Sequence, residues 1–196
     1  MLVSKSFRSV VIAIMRRLAN YLNLLLIRPD WIRKGIYLGP LAEVNGAERI
    51  EISPGFYVRY GLWMDAITHY RGQVFFPSLR VGRNFSASRF LHIACINKIT
   101  IGDDCLFGSN VIVTDHSHGN LRVPLMESPI GPIALPLFSN GEVFIGDRVW
   151  LGDNVVILPG SRIGNDVIVG ANSVVSGELP AGYICVGAPC RPMRPR

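Results

Sequence analysis

Residues 114–120 read Thr-Asp-His-Ser-His-Gly-Asn and set one carboxylate, Asp115, beside two imidazoles, His116 and His118. An imidazole changes charge between pH 5 and 8, so either ring can accept a proton near neutrality, and an adjacent carboxylate can fix its tautomer. These residue types suit proton transfer. They do not suit a metal site, because a catalytic zinc needs three converging ligands. The chain has four histidines, His69, His92, His116 and His118, and only the last two are close in sequence. The cysteines Cys95, Cys105, Cys185 and Cys190 form no CxxC pair. They read as reduced thiols, two of them core fillers, and no metal is expected to be required.

What must position this stretch is a short repeat. Residues Ile145 to Pro180 divide into hexads that begin at Ile145, Leu151, Ile157, Ile163, Val169 and Val175. Glycine holds the second place in four of them (Gly146, Gly152, Gly164, Gly170), and the fifth place is small or β-branched in the first five (Val149, Val155, Ser161, Val167, Ser173). Hexapeptide periodicity predicts an all-β chain wound as a parallel β-helix. An inward aliphatic residue every six positions builds a prism with three flat faces, and each coil hides its apolar edge only by stacking on the next. Earlier hexads start at Val81, Ala87, Ile93 and Ile99, then, after a slip of two residues, at Ile101, Phe107 and Val113.

Regularity stops between Thr114 and Glu142. The spacing therefore predicts one loop, residues 114–142, extruded from a corner of the solenoid and rich in Pro and Gly (Pro124, Pro129, Gly131, Pro132, Pro136). Long loops on rigid scaffolds tend to carry function. Residues 36–80 alternate loosely and read as irregular first coils. The organisation expected is a helical segment over 1–35, the solenoid over 36–180 with its loop, and a Pro- and Arg-rich tail over 181–196.

The 196 residues are 49% hydrophobic, which excludes a disordered chain, and carry a net charge of +6. That charge is local. Lys5, Arg8, Arg16, Arg17, Arg28, Arg33 and Lys34 face Asp30 alone in residues 1–40, so the remainder is neutral. A neutral body has no excess charge to neutralise phosphates, so no nucleic-acid partner is expected. The segment before Pro29 reads as helix up to Arg28. Arg16 and Arg17 break its apolar runs into pieces too short to cross a bilayer, and no signal-peptide cleavage site follows. Two readings remain open: a helix packed on the solenoid or on a neighbouring subunit, and a basic amphipathic anchor on anionic lipid.

The stretches TDHSHG, VFIGDRVWLGDNVVILPGSRIGNDVIVGANSVV and LPAGYICVGAPCRPMR, with HIACINKITIGDDCLFGSNV before them, resemble the hexapeptide-repeat acetyltransferases. Within that family the resemblance is nearest to the enzymes that O-acetylate lipopolysaccharide and other bacterial polysaccharides, with maltose and galactoside acetyltransferases as relatives. It covers roughly residues 78–194 and implies a left-handed parallel β-helix, a homotrimer, acetyl-CoA as donor and active sites between subunits. A loop histidine would deprotonate the acceptor hydroxyl, a poor nucleophile near neutrality. Gapless alignment from Ile101-Gly102-Asp103 places His118 on the catalytic position, with His116 the second candidate and Asp115 orienting one of them. The resemblance implies Ser88, His92 and Asn97 at the acceptor. The family often has Asn where Ser88 stands, and Ser replaces only part of its hydrogen bonding. By position the donor meets Trp150, Asp153, Ala171 and Ser176, with Arg191 and Arg194 at the nucleotide phosphates.

The function implied is O-acetylation of a polysaccharide, lipopolysaccharide or lipid-linked glycan precursor in the cytoplasm, at the inner face of the membrane if the helix is an anchor. The alternatives are acetylation of a small sugar or antibiotic, and a non-catalytic scaffold that would bind no acetyl-CoA. A carbonic anhydrase on the same solenoid needs three histidines that converge on zinc, and only His116 and His118 fall close together.

Overall fold

The hexads close a prism in the computed structural model, which describes residues 7–120 and 131–196, with side chains from Val10 onward. The leading residues Ile145, Leu151, Ile157, Ile163, Val169 and Val175 are all fully buried. Ile145, Leu151 and Ile157 fall on three different sheets, so three hexads make one coil, and successive coils repeat at 18 residues. The first sheet runs through Glu43–Asn45, Trp63–Ala66, His92–Cys95, Ile112–Thr114, Val156–Ile157 and Val174–Val175. The second holds Ile50–Ile52, Ser78–Val81, Lys98–Ile101, Val143–Ile145, Arg162–Ile163 and Glu178–Leu179. The third starts at Tyr57–Tyr60 and passes through Ser86–Arg89, Leu106–Phe107, Trp150–Leu151 and Ile168–Val169 to Tyr183–Gly187 and Cys190–Pro195. Within these three sheets the pairings are parallel except the last, an antiparallel hairpin that makes the C-terminal segment the closing edge of the third sheet. Cys190 fills the end of the core there.

The fifth hexad positions explain themselves in the same frame. Val149, Val155 and Val167 pack inside, while the buried hydroxyl of Ser161 donates to the Leu158 carbonyl and that of Ser173 to the Gly170 carbonyl. Asn110, Asn154 and Asn172 occupy the left-handed region at one corner, where the Asn110 side-chain amide donates to Asn154 Oδ1 and that of Asn154 to Asn172 Oδ1, each at 2.9 Å. Asn tolerates that conformation better than most residues, which is why it recurs at the turns.

The early coils are regular where the sequence looked irregular. Trp63 pairs with His92 and Leu79 with Ile99, as hexad residues do. What obscures their period is an antiparallel hairpin, His69–Tyr70 with Gln73–Val74, set into the corner between the first and second sheets. The later loop leaves from the same corner. It begins after Thr114, and its ends pair as Ser117–His118 with Leu137–Phe138. Its prolines Pro124 and Pro129 lie outside the described residues.

At the N-terminus the expected helix forms, but by length and composition it is not too short to cross a membrane. Arg16 and Arg17 interrupt the apolar sequence but not the helix, because both are good helix formers. Phe7–Ile27 is a single helix, and its Val10–Ile27 stretch, with mean hydropathy 1.6 and those two charges only, is long and apolar enough to cross a membrane by length and composition. One side is fastened to the first coil. Leu24 is buried, the Asn20 amide donates to the Ile36 carbonyl at 3.1 Å, and its oxygen accepts from the Leu38 N–H at 2.9 Å. The other side exposes Ile14, Met15, Leu18, Leu22 and Leu26. Lys5 lies outside the described residues, as does the side chain of Arg8.

Candidate active site

The corner Ile96-Asn97 is tight, and the coils on either side of it carry the hairpin and the loop. These two excursions meet over it. The Tyr70 hydroxyl donates to the Ile133 carbonyl at 2.9 Å, and the Gln73 amide donates to Leu137 O at 3.2 Å while accepting from Leu137 N at 2.8 Å. Beneath them lies a cleft of about 520 Å³ lined by Trp63, Asp65, Tyr70, His92, His116, His118 and Leu137, among others.

Asp115 is the anchor of this cleft. Its carboxylate is fully buried, with no lysine or arginine paired to it among the described residues, and is satisfied by hydrogen bonds. Oδ1 accepts from the Ile96 N–H at 2.9 Å and lies 3.1 Å from His116 Nδ1. Oδ2 accepts from the Asn97 N–H at 2.8 Å and from the Cys95 thiol at 3.3 Å. Burial, and then the Asp115 charge, push the Cys95 thiol far up, so it stays protonated and donates. A carboxylate that receives these donors can only accept from the imidazole. The proton of neutral His116 therefore sits on Nδ1, and Nε2 keeps its lone pair. Thr114 Oγ1, 3.3 Å from Nδ1, steadies the same ring, whose side chain is 10% exposed. His118 differs. It is exposed, with Nδ1 3.4 Å from the Tyr70 hydroxyl and the two rings edge to face.

The other predicted residues divide between sites. His92 lines the cleft, and burial, then the nearby His116, lower its pKa and keep it neutral. Asn97 stands at the corner, its backbone held by Asp115, and is not among the cleft's lining residues. Ser88 lies on the third sheet, away from the cleft. Trp150, Asp153 and Ala171 come together in a second groove of about 350 Å³ at the corner between the third and first sheets, with Gly108, Gly152 and Gly170. The Asp153 carboxylate accepts from the Ser109 N–H at 2.6 Å, so its oxygen serves the turn. Ser176 follows Val174–Val175 at the next corner. Arg191 and Arg194 are exposed on the final strand, where Arg194 aligns through Ile184 and Ile168 with Trp150. Among the described residues, no group of three or more His, Cys, Asp or Glu is arranged to hold a metal ion.

Sequence reasoning missed Trp63 and Asp65. The Trp63 indole lies parallel to the His92 ring, 3° between planes and 4.1 Å between centroids. Burial, then the like charge of Glu43, push the Asp65 carboxyl up. Neither was readable, because their alignment with His92 and Ala94 runs across the inserted hairpin.

Comparison with known proteins agrees with this architecture. Residues 142–177 match the model of the bacterial transferase hexapeptide (six repeats), and residues 98–117 that of the hexapeptide repeat of succinyl-transferase. Over 143 residues, covering 72% of this chain and 69% of the relative, the chain is 41% identical to an Escherichia coli K12 protein that bears the name of a lipopolysaccharide biosynthesis O-acetyl transferase. It is 34% identical to the galactoside O-acetyltransferase of the same organism over 122 residues, 60% of this chain and 54% of that one. A solved galactoside acetyltransferase in complex with coenzyme A superposes with a TM-score of 0.52 at 28% identity, over 80% of this chain and 63% of that one. This chain belongs to the hexapeptide-repeat acetyltransferase family. It spans about half to two thirds of the length of these relatives.

Proposed function

We propose that the chain transfers acetyl from acetyl-CoA to a hydroxyl of a bacterial polysaccharide, lipopolysaccharide or lipid-linked glycan precursor, with His116 as general base. The observation that carries this reading is the buried Asp115 carboxylate against His116 Nδ1, which leaves Nε2 as an acceptor in an open cleft. The name of the relative at 41% identity supports the acceptor class. Nε2 takes the hydroxyl proton as its oxygen attacks the thioester carbonyl carbon. Collapse of the tetrahedral intermediate breaks the C–S bond, and the imidazolium returns the proton to the departing CoA thiolate. Gapless alignment favoured His118; the Asp115 contact favours His116.

The donor has a track on the third sheet. Trp150, Ile168, Ile184 and Arg194 form one row whose three strand spacings make about 14 Å. An extended pantetheine suits that length, and the guanidinium groups of Arg191 and Arg194 suit its phosphates. This row and His116 are on different sides of the prism. Ser176 is at the corner between the first and second sheets that the loop also leaves from, two coils further on. A homotrimer of left-handed solenoids would bring the donor row, Ser88 and Ser176 of neighbouring copies toward the His116 cleft. The exposed apolar side of the helix and its basic flank support a cytoplasmic protein held at the inner face of the membrane. Flotation with anionic vesicles tests this, and unchanged flotation after Leu18→Glu with Leu22→Glu removes the anchor.

The central test is radiolabelled acetyl transfer to a panel of polysaccharides and lipid-linked glycans. His116→Ala should lower kcat by roughly 10²–10⁴-fold, the range for a general base. A comparable loss in His118→Ala alone would move the base to His118. Failure to bind acetyl-CoA would return the scaffold reading.

A further inference from the structure

The Trp63–His92 stack does nothing in the acetyl-transfer steps, yet it lines the same cleft as His116. The order of the first sheet fixes its geometry. Trp63 lies between the strand Glu43–Asn45 and the strand His92–Cys95, so His92 covers one indole face and the other looks toward Glu43. Trp63 remains 48% exposed despite the stack. Its ring is thus held in one orientation by a neutral imidazole, with about half of its surface open to the cleft and solvent.

Distance decides what this surface can bind. Trp63 aligns with His92 and His92 with Ile112, and the Ile112 strand runs on through Thr114 to His116. Two strand spacings, about 10 Å, therefore separate the indole row from the strand that delivers the base, more than a single sugar ring covers. Between them Asp65 aligns with Ala94 and Ala94 with Thr114. The small Ala94 side chain leaves open floor there, with the Asp65 carboxyl group at its edge.

We infer that Trp63, braced by His92, is a platform for a second sugar ring, so that the acceptor is a glycan chain of at least two residues rather than a monosaccharide. Aromatic faces carry negative quadrupole charge that attracts the C–H face of a pyranose. The ring that gives its hydroxyl to His116 then sits over Ala94, where Asp65 hydrogen-bonds its hydroxyl groups, and the neighbouring ring lies on Trp63. This rests on the reading of His116 as the base of an acetyltransferase.

The test compares acetyl transfer to methyl glycosides of glucose, galactose, mannose, rhamnose and N-acetylglucosamine with transfer to tetrasaccharides of the same sugars. Wild type should show higher kcat/KM on the tetrasaccharide. Trp63→Ala should cut the tetrasaccharide-to-monosaccharide ratio by roughly tenfold, as truncation of an aromatic anchor does, and act through KM. Trp63→Phe, which keeps a flat ring, should retain most of the ratio, with Tm as the check on folding. Saturation-transfer NMR on His116→Ala, which holds acceptor without turnover, gives a second readout: Trp63→Ala should abolish transfer to the tetrasaccharide. The inference is overturned if wild type has no length preference, if Trp63→Ala lowers both acceptors alike, or if no tetrasaccharide shows Trp63-dependent saturation. An active His116→Ala enzyme would instead overturn the assignment of the base while leaving the length ratio to stand or fall by itself.

Discussion

Asp115→Asn separates the two duties of that carboxylate. Its oxygens divide four donors: Ile96 N–H and His116 Nδ1–H on Oδ1, Asn97 N–H and Cys95 S–H on Oδ2. An amide has one oxygen and one NH2, so in either orientation a buried backbone N–H points at a donor. Leaving that group unsatisfied costs about 1–3 kcal/mol. At roughly 2–4 °C per kcal/mol for a chain of this size, Tm should fall by roughly 2–12 °C. The catalytic effect depends on the orientation. With the amide NH2 in place of Oδ1, Nδ1 becomes the acceptor and the proton moves to Nε2, the tautomer that cannot take a proton from a hydroxyl. With the oxygen kept at Oδ1, His116 is preserved but Asn97 and Cys95 both face the NH2. Each arrangement strands one backbone N–H, and the second strands the Cys95 thiol as well, so the first is favoured and kcat should drop by about 10²–10⁴-fold, the contribution of a general base. Thermal melting and steady-state acetyl transfer, run on the same preparation, read the two effects separately. A variant with lowered Tm and unchanged kcat would refute the argument and reduce Asp115 to a corner clamp.

Other outcomes follow from burial and charge. All four thiols are buried, and burial pushes Cys105 and Cys185 up to about 11, so a disulfide reagent at pH 8 should label none in the folded protein and four after denaturation. The folded pKa of His92 lies below its ordinary value, so the unfolded chain binds the proton first. Stability contributed at this position is intact above about pH 6.5 and declines as pH falls below it, until the folded ring protonates too. Melting curves between pH 5 and 8 should show this decline, and His92→Asn should flatten it. Asp65 has the opposite displacement, with burial disfavouring its charge, so Asp65→Asn should raise Tm at pH 7 while lowering acceptor turnover. Arg194→Ala should raise KM for acetyl-CoA and leave the acceptor KM unmoved; equal changes in both would remove it from the donor track.

The solenoid was legible because hexad positions such as Ile145 and Val169 are fixed by one constraint, burial on a repeating inward edge. The early coils obey the same constraint, but the hairpin at Tyr70 shifts their spacing, so Trp63 and Asp65 carried no visible period. The choice between His116 and His118 was not in the sequence either. Both follow Asp115 within three residues, and only the fold shows that the carboxylate turns back toward Ile96 and carries His116 with it. At the N-terminus, charge spacing suggested two short apolar runs, whereas helix continuity depends on backbone propensity, which Arg16 and Arg17 satisfy. The last sixteen residues read as a tail because Pro and Arg dominate them. Their backbone nonetheless continues the third sheet, Tyr183–Gly187 pairing with Ile168–Val169 and Cys190–Pro195 folding back on it.

The paired excursions over Ile96-Asn97 have a consequence for how such a protein can change. Ile99 stacks on Val143 as closely as it would have on a residue one short turn away, so the scaffold does not register how many residues were spliced in between. Loop and hairpin are free to vary in length and composition as interchangeable cassettes. They are clipped to each other through Tyr70, Gln73 and Leu137, however, and so form a matched set. Transplanting one alone between homologues should break the clip, while transplanting both should carry acceptor choice across with the frame untouched.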